Sequence, residues 1–301
     1  MVASPSPATV QRGASPSGQQ SDDVRGVPAG PPAGHAEETS SSGTLKGVFM
    51  KVLVIGGTGL IGSQVVAQLT ELGHEAVPAS PRTGVNAITG EGLANAVVGV
   101  HTVVDVANSP SWADDDVLNF FTTSSRNLLE AERAAAVQHH VALSIVGADR
   151  ATESGYMRAK VAQEKVIVES GSPYTIVRAT QFFEFVDGIA DSLTDGDTVR
   201  APHGAFQPIA AGDVATAVTR AATADPANRV INIAGPDKQG MDDFIRTRFA
   251  ATGDARQVVT DADAQYYGAV LDERSIVPVD GEEVTIYPTS FSDWMAAHAT
   301  R

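Results

Sequence analysis

The sequence contains no cysteine, which excludes disulfides, thiolate metal sites and cysteine nucleophiles. This composition is compatible with a reducing cytoplasm, where we expect the protein. Basic residues are few, since 21 Lys and Arg against 36 Asp and Glu give a formal net charge of −15. Nucleic acids and anionic membranes repel such a chain. We therefore predict a small-molecule substrate and neither of those partners, without assigning an oligomeric state.

The sequence has no apolar run long enough to span a bilayer, and it shows neither a signal-peptide nor a twin-arginine pattern. Large apolar side chains are nearly missing from residues 1–49, which are rich in Ser, Pro, Gly and Ala. We predict that these residues form a disordered N-terminal extension. Met50 comes immediately before the first apolar strand, so we expect the ancestral start there. The 7 histidines lack metal-ligand spacing, and no metal site is predicted.

From residue 50 onward, short apolar strands alternate with longer helical stretches. This order is typical of a parallel sheet covered by helices on both faces. The predicted strands are residues 51–55, 75–79, 102–106, 140–146, 174–178 and 230–233. The predicted helices include residues 59–72, 115–136, 214–222, 241–251 and 291–298, with Asp213 as the cap of the third. The fold class is therefore α/β with a doubly wound parallel sheet, a Rossmann fold. We predict one domain over residues 50–301, with a cofactor part at about 50–180 and a small substrate-binding part at about 181–301.

A glycine-rich turn follows the first predicted strand. Gly57, Gly59 and Gly62 match the spacing G-x-G-x-x-G, in which the first glycine allows a tight turn, the second lets backbone N–H groups approach a pyrophosphate, and the third permits close helix packing. Glycine-rich turns occur in many loops, but here a strand precedes the turn and an amphipathic stretch follows it. This context favours nucleotide binding. The predicted cofactor-binding residues of the turn are Gly56, Gly57, Thr58, Gly59, Leu60, Ile61 and Gly62.

Tyr156 and Lys160 lie four residues apart at the start of a predicted helix, on one helical face. An ammonium beside a phenol favours the phenolate, so this spacing predicts a tyrosine pKa lowered toward the range of a general acid or base. Ser144 lies near the carboxyl end of a predicted strand, where open α/β sheets bind their ligands. Each residue has a structural alternative: a packing tyrosine, a solvated lysine, or a serine that bonds at the strand end. Their combination with the glycine turn favours catalysis.

The sequence resembles the short-chain dehydrogenase/reductase family, and more narrowly its atypical NAD(P)H-binding, NmrA-like branch, from Met50 almost to the end. The motifs that carry the resemblance are residues 56–62, 104–110, 143–149, 156–160, 178–183 and 207–215. The resemblance implies that Tyr156 donates or accepts the proton, that Ser144 polarises a carbonyl, and that Lys160 holds the nicotinamide ribose while tuning Tyr156. It also implies that Ala107 and Asn108 border the ribose.

Two departures from the family leave alternatives open. The catalytic asparagine that many members carry is not matched by Asn119 or Asn127, so the proton relay is unassigned. Several NmrA-like members lack the Tyr/Lys pair and act as cofactor sensors, whereas this chain retains the pair. We expect an NAD(P)-dependent oxidoreductase that reduces a carbonyl or quinone-like acceptor. A non-enzymatic NADP(H) sensor is the first alternative, and a nucleotide-sugar epimerase or dehydratase is the second.

The cofactor preference is predicted from the residues after the second strand. An acidic residue there holds the ribose 2′-hydroxyl of NAD, whereas an arginine accommodates the 2′-phosphate of NADP. This chain has no acid there, and Ser80 and Arg82 are suited to a phosphate. We therefore expect NADP(H), with an ordinary loop cation as the alternative for Arg82. For the substrate, an apolar pocket is predicted from Trp112, Phe182, Phe183 and Gln207, with core packing as the alternative for about half of the aromatic residues.

Overall fold

The computed structural model describes residues 49–298. The predicted extension over residues 1–49 lies outside this part of the chain, apart from Phe49. The α-helices of the described part are α1 (Leu60–Glu71), α2 (Leu93–Ala96), α3 (Asp114–Ala134), α4 (Gly155–Glu169), α5 (Val186–Ser192), α6 (Ala211–Thr223), α7 (Met241–Thr252) and α8 (Phe291–His298). Its strands are β1 (Lys51–Ile55), β2 (Glu75–Ala79), β3 (Thr102–Asp105), β4 (His139–Ile145), β5 (Tyr174–Ala179), β6 (Thr194–Asp195), β7 (Thr198–Ala201), β8 (Ala205–Phe206), β9 (Arg229–Ala234), β10 (Gln239–Gly240), β11 (Gln257–Thr260), β12 (Gln265–Tyr266), β13 (Ala269–Val270) and β14 (Val284–Ile286).

Within residues 49–298, seven strands form one sheet in the order β14-β9-β5-β4-β3-β1-β2, and all of its strand pairs are parallel. Each connection crosses over through a helix or a longer segment, as parallel strands require. The strand order reverses at β1, which lies between β2 and β3. Open α/β sheets bind ligands at such a switch point, outside the carboxyl ends of the strands. The predicted doubly wound fold is confirmed.

The sheet is covered on both faces because side chains alternate along each strand. Val52 and Val54 of β1 pack with residues of α1 and α6. Leu53 and Ile55 pack on the other face, with residues of α2 and α3. Strand β1 is therefore buried on both sides. Because the glycine turn follows β1 directly, this burial fixes the position of the turn at the carboxyl end of the strand.

The six predicted strands are all present, with bounds that differ by at most one residue at each end. The capping role predicted for Asp213 is wrong, because α6 begins at Ala211 and Asp213 lies inside its first turn. The Glu184 carboxylate accepts the backbone N–H of Ala211, with its two oxygens at 3.1 and 3.2 Å, and so satisfies the helix start from a distant segment. Asp213 instead accepts the backbone N–H of Thr289 at 3.1 Å.

The sequence predicted helices in the last third of the chain, and α7 and α8 confirm this. It did not predict β14, which extends the main sheet beside β9. It also did not predict three small elements: the sheet β11-β7-β6, the antiparallel pair β10-β8 and the hairpin β12-β13. These strands have two to four residues each, which is too short for a hydrophobic period to be recognised. Among the described residues, no helix combines the length and the apolar character needed to cross a bilayer.

Candidate functional site

The glycine turn connects β1 to α1 at the switch point of the sheet. The motif had predicted that Gly57 allows the tight turn. The left-handed position that needs glycine is instead Gly56, which has φ +78°. A Cβ on Gly57 would lie 2.7 Å from the Cα of Pro78 in β2, so Gly57 is required for lack of space. A Cβ on Gly62 would collide with the carbonyl oxygen of Gly56. The close packing predicted for Gly62 is therefore present in the structure.

The amino end of α1 is built to face an anion. Gly59 is the N-cap residue, and its N–H donates to the carbonyl oxygen of Gly56 at 2.9 Å. The N–H groups of the first helical turn lack intrahelical partners, and this turn contains no acidic residue. A Cβ on Gly59 would have only the Gly56 oxygen within 4 Å, at 3.3 Å, which leaves open space beside the turn. This cradle fits the pyrophosphate of a dinucleotide.

A cavity of about 550 Å³ extends from the glycine turn along the carboxyl ends of β3, β4 and β5. On the cofactor side its lining includes the predicted residues Gly56, Thr58, Gly59, Leu60, Ile61, Ala107 and Asn108. On the opposite side it includes the predicted residues Trp112, Ser144, Tyr156, Lys160 and Phe182. The structure thus brings the glycine turn and the Tyr/Lys pair to one cavity, of a size usual for ligand sites.

Tyr156 lies at the start of α4, and its position depends on the neighbouring helix α3. The Asp114 carboxylate lies against Gly155, where a Cβ would collide with it, and it also pairs with Arg158 at 2.6 Å. The Tyr156 hydroxyl donates to Oδ1 of Asn108 at 2.8 Å. Burial, and secondarily the neighbouring Tyr267, raise the pKa of Tyr156 above its usual range. The predicted lowering of this pKa by Lys160 is wrong for the protein alone, since burial of the phenol dominates.

Lys160 is buried at the carboxyl end of β4. Its ammonium donates to the carbonyl oxygen of Leu143 at 2.8 Å and to the Gln163 amide oxygen, and it lies 4.2 Å from the centre of the Phe121 ring. Gln163 in turn donates to Oδ2 of Asp105 at 3.1 Å. Burial lowers the pKa of Lys160 to about 8, against the opposing attraction of Asp105 and Glu164. The lysine therefore titrates within a range that kinetic measurements reach.

Ser144 is also buried, but its hydroxyl already has an acceptor. It donates to Oε1 of Glu164 at 2.5 Å, and this carboxylate is held by Arg178 at 2.6 and 2.8 Å. Arg178 also pairs with Asp149 at 3.1 Å. The carbonyl-polarising role predicted for Ser144 would require its hydroxyl to turn away from Glu164.

Aromatic side chains line the cavity, and three of them, Phe185, Tyr266 and Tyr267, were not predicted. Trp112 stacks on Tyr267 with ring centres 5.3 Å apart and lies 5.4 Å from the ring of Tyr156. Tyr267 lies in the turn of the β12-β13 hairpin, with φ +46°. Trp112 remains 59% exposed and Tyr267 42% exposed. The pair forms an aromatic rim beside the Tyr156 phenol.

Two of the predicted substrate residues do not line the cavity. Phe183 is 1% exposed and packs against Phe291 and Trp294, with ring centres 5.1 and 5.8 Å away. It is a core residue because the turn after β5 directs it inward, beneath the neighbouring Phe182. Gln207 is buried, and its amide donates to the carbonyl oxygen of Gly235 at 2.8 Å. Both predictions of substrate contact are corrected, since neither side chain is among the lining residues.

The residues predicted for the 2′-phosphate lie just after β2. Ser80 is 8% exposed, and it is the N-cap residue of a short turn, where its N–H donates to the Thr83 hydroxyl at 2.9 Å. Arg82 is exposed in the short 3₁₀ turn Pro81–Thr83. Neither residue lines the cavity, and they lie beside the glycine turn, where the Gly56 N–H donates to the carbonyl oxygen of Ala79 at 2.9 Å.

Three buried polar side chains of the cavity wall were missed by the sequence reading. They are Ser154, Thr180 and Gln181, and none of their side-chain polar atoms has a partner within residues 49–298. No local pattern marks them, because a polar residue after a strand is ordinary. Only the fold shows that they are both buried and directed toward the same cavity.

No metal site was predicted from the sequence. In the described part of the chain, one cluster of a histidine and two aspartates has the side chains that could bind a metal ion. His203, Asp242 and Asp243 have ligand-type atoms within 4.8 Å of one another. Arg246 pairs with both carboxylates, at 2.7 and 2.9 Å, and Thr260 donates to Asp242 at 2.5 Å. The cationic guanidinium occupies the position beside the carboxylates, so the cluster is a hydrogen-bonded junction between the small sheet and α7.

Comparisons with known proteins show the family of the chain. A family model described as NAD(P)H-binding matches residues 56–226, which is more than half of the chain. The chain therefore belongs to this NAD(P)H-binding family. The match begins at the glycine turn and includes Tyr156, Lys160 and the end of β5.

Curated relatives are distant. The chain is 28% identical over 203 residues to (4-alkanoyl-5-oxo-2,5-dihydrofuran-3-yl)methyl phosphate reductase of Streptomyces griseus, covering 62% of this chain and 68% of that protein. It is 26% identical over 165 residues to the photosystem II assembly factor Ycf39 of Cyanophora paradoxa, covering 50% of this chain and 51% of that protein. The chain thus spans about half the length of the assembly factor.

Solved structures share the fold. A short-chain dehydrogenase/reductase superfamily protein from Agrobacterium tumefaciens with bound NAD aligns with a TM-score of 0.62 at 18% identity, covering 83% of this chain and 96% of that one. A nucleoside-diphosphate-sugar epimerase from Staphylococcus aureus aligns with a TM-score of 0.62 at 14% identity, covering 82% and 99%. At these identities the likeness concerns the fold alone.

Proposed function

We propose that the protein is an NADPH-dependent oxidoreductase that reduces the carbonyl group of an apolar, quinone-like or aromatic small molecule. The observation that carries this proposal is the position of the Tyr156 hydroxyl, which lines the same cavity as the glycine turn. The motifs that resemble the NmrA-like branch support the same class of protein. A reductase is also among the relatives, in Streptomyces griseus.

The chemistry assigned to the protein is the supply of one proton. NADPH, when bound, supplies the hydride that reduces the carbonyl carbon. Tyr156 gives its phenolic proton to the carbonyl oxygen as the C=O π bond breaks, and solvent restores that proton. Burial raises the pKa of Tyr156, which keeps the phenol protonated before reaction. The product is the alcohol.

The lining of the cavity supports an uncharged substrate. Within the described residues, Lys160 is the only charged side chain of the lining, and its ammonium is already held by Leu143 and Gln163. A substrate phosphate would need further cations. The exposed faces of Trp112 and Tyr267 instead offer area to a planar, apolar group.

The preference for NADP(H) is part of the proposal. Ser80 supports it as a hydroxyl directly after β2, and Arg82 supports it as an exposed guanidinium two residues away. We expect Arg82→Ala to raise the Michaelis constant for NADPH about tenfold and to leave that for NADH unchanged. A wild-type preference for NADH would contradict the assignment.

The test of the reductase proposal is Tyr156→Phe with Tyr267→Phe as the matched control. Both variants remove a phenol hydroxyl from the lining of one cavity and keep the ring. We expect Tyr156→Phe to lower kcat about 10²- to 10⁴-fold with little change in NADPH affinity, and Tyr267→Phe to remain active. Turnover would be followed by NADPH absorbance with a panel of aromatic ketones and quinones. Undiminished turnover in Tyr156→Phe would refute the acid role.

A non-enzymatic sensor of the NADP/NADPH ratio is the second candidate. Two observations favour it: the Ser144 hydroxyl is engaged by Glu164, and the relatives include an assembly factor. A sensor binds NADPH and oxidises none of it with any substrate of the panel. An epimerase that retains its cofactor ranks third, because the cavity lining has few cations for a nucleotide diphosphate.

A further inference from the structure

The side chains of Thr180 and Gln181 form a polar patch on the cavity wall, directly after β5. Thr180 is 1% exposed and Gln181 is 7% exposed, and both line the cavity. In the part of the chain that the structure describes, neither the Thr180 hydroxyl nor either amide atom of Gln181 has a hydrogen-bond partner. Leaving such groups buried and unpaired is unfavourable, and native proteins rarely do so without a reason.

The backbone of the same two residues is tied to neighbouring segments through one hydrogen-bonding group of each residue. The Thr180 N–H donates to the carbonyl oxygen of Ile233 at 3.2 Å, and the Gln181 carbonyl oxygen accepts the N–H of Ile209 at 2.8 Å. The next residue, Phe182, forms a bridge with Ile209. Strand pairing thus fixes the segment from both sides, so the Gln181 amide is held in place without being used by the fold.

We infer that Gln181 recognises a ligand, because its side-chain amide can form paired hydrogen bonds with a carboxamide or lactam edge of a molecule bound in the cavity. A glutamine amide presents one acceptor and one donor side by side, and its complement is a group that offers a donor beside an acceptor. An amide edge satisfies both atoms at once, whereas a simple ketone satisfies one. Thr180 adds a hydroxyl beside this pair.

Two sources of this chemistry would be present in the working protein. The nicotinamide of the cofactor carries a carboxamide, and a planar lactam is one form of the acceptor class proposed above. The inference rests on the proposed function for the occupancy of the cavity. It goes beyond that function by assigning a new residue and the kind of edge that this residue recognises.

The test compares two buried glutamines. Gln181→Leu removes both amide atoms at nearly constant volume, and Gln207→Leu is the matched control, because the Gln207 amide donates to Gly235 and lies outside the lining. We expect Gln207→Leu to lower Tm, whereas Gln181→Leu keeps Tm or raises it, since it removes unpaired polar atoms from the interior. A purely structural role for Gln181 predicts a lowered Tm.

Binding is measured with defined probes on the full chain. NADPH is compared with 2′-phospho-ADP-ribose, which lacks the nicotinamide, and isatin is compared with N-methylisatin on the NADP-saturated protein, both by calorimetry. If the edge belongs to the cofactor, Gln181→Leu weakens NADPH about tenfold and leaves 2′-phospho-ADP-ribose unchanged. If it belongs to the substrate, the variant loses the preference for isatin over N-methylisatin and keeps its NADPH affinity.

Wild-type affinities for all four probes in Gln181→Leu would overturn the inference while leaving the reductase proposal intact. A wild-type protein that does not bind NADPH would refute the proposed function itself, and this inference with it. Weakening of every probe together with a lowered Tm would also overturn it, since that pattern marks a folding defect. The Tm and the probe pairs therefore separate the two proposals.

Discussion

Lys160 provides the sharpest quantitative prediction, because its burial links protein stability to pH. The pKa of Lys160 is about 8 in the folded protein, against 10.5 for an ordinary lysine. Below about pH 8 the lysine is protonated in both states. Between these two values the unfolded chain binds one proton more than the folded chain, so the free energy of unfolding rises with pH. The sign is that of a base whose pKa is lowered by folding.

The magnitude follows from the size of the pKa difference. Each pH unit between the two values adds about 1.4 kcal/mol to the free energy of unfolding. From about pH 8 to about pH 9.5 the gain is therefore roughly 2 kcal/mol, and over the full interval it approaches roughly 3 kcal/mol. Tyrosines with raised pKa values oppose the gain only near pH 10 and above, where unfolded tyrosine ionises.

The assay is urea unfolding, followed by tryptophan fluorescence, of wild type and Lys160→Met at several pH values between about 7 and about 9.5. The variant lacks the titrating group, so the difference in unfolding free energy between the two proteins isolates it. We expect wild type to gain roughly 2 kcal/mol relative to the variant across this range. Parallel pH profiles for the two proteins would refute the reasoning. In wild type, NADPH affinity should fall above about pH 8, if the ammonium holds the ribose.

Three further substitutions, one of them with a matched control, test the site and its support. Gly62→Ala should lower thermal stability and cofactor affinity, because a Cβ at this position collides with the glycine turn. The matched control is Gly212→Ala in the first turn of α6, where a Cβ has room. We expect this control to be neutral or slightly stabilising in thermal unfolding. Arg178→Met should destabilise the protein by about 3–5 kcal/mol in urea, since it leaves Glu164 as an uncompensated buried charge. Trp112→Ala should raise the Michaelis constant for aromatic acceptors about tenfold and leave NADPH affinity unchanged.

Each of these has a contradicting outcome. Equal thermal stability of Gly62→Ala and Gly212→Ala would show that the turn tolerates a side chain. A loss below about 1 kcal/mol in Arg178→Met would mean that the pair behaves like a surface ion pair. An unchanged Michaelis constant in Trp112→Ala would place the acceptor away from the aromatic rim.

The parts of the fold that the sequence predicted are those with local causes. The strands of the main sheet are short runs of apolar and β-branched residues, and the glycine turn requires glycine for steric reasons within a few residues. Even there, the individual roles depended on a neighbour that the motif does not contain. Gly57 is required because Pro78 of β2 lies against it. The position of that strand is known only from the sheet.

The parts that the sequence did not predict have distant causes. The start of α6 was misplaced because the acceptor for its first N–H groups is Glu184, 27 residues before Ala211. Tyr267 reaches the cavity because it lies in the turn of the β12-β13 hairpin, whose strands of two residues each are too short to show a periodic pattern. Phe182 and Phe183 are chemically alike, and only the packing of the turn decides which one lines the cavity and which is buried in the core.

The candidate site shows the same difference between features with local causes and features with distant causes. The four-residue spacing brought Tyr156 and Lys160 to one cavity, but the pKa of each depends on burial by segments that the spacing does not involve. The acceptor of the Ser144 hydroxyl likewise comes from α4, 20 residues later in the chain. Sequence patterns therefore placed the reactive groups, whereas their protonation and partners required the fold.

Pro78 in β2 has a second consequence, for the association of whole molecules. The Glu75 N–H donates inward to the carbonyl oxygen of Met50 at 3.0 Å, and alternate N–H groups along a strand point the same way, so the nitrogen of Pro78 faces outward. This nitrogen has no hydrogen to offer an incoming strand, and β2 is the border of the sheet. Pro78, which packs against Gly57 of the glycine turn, therefore also disfavours the pairing of β2 with a strand of another molecule and the aggregation that would follow.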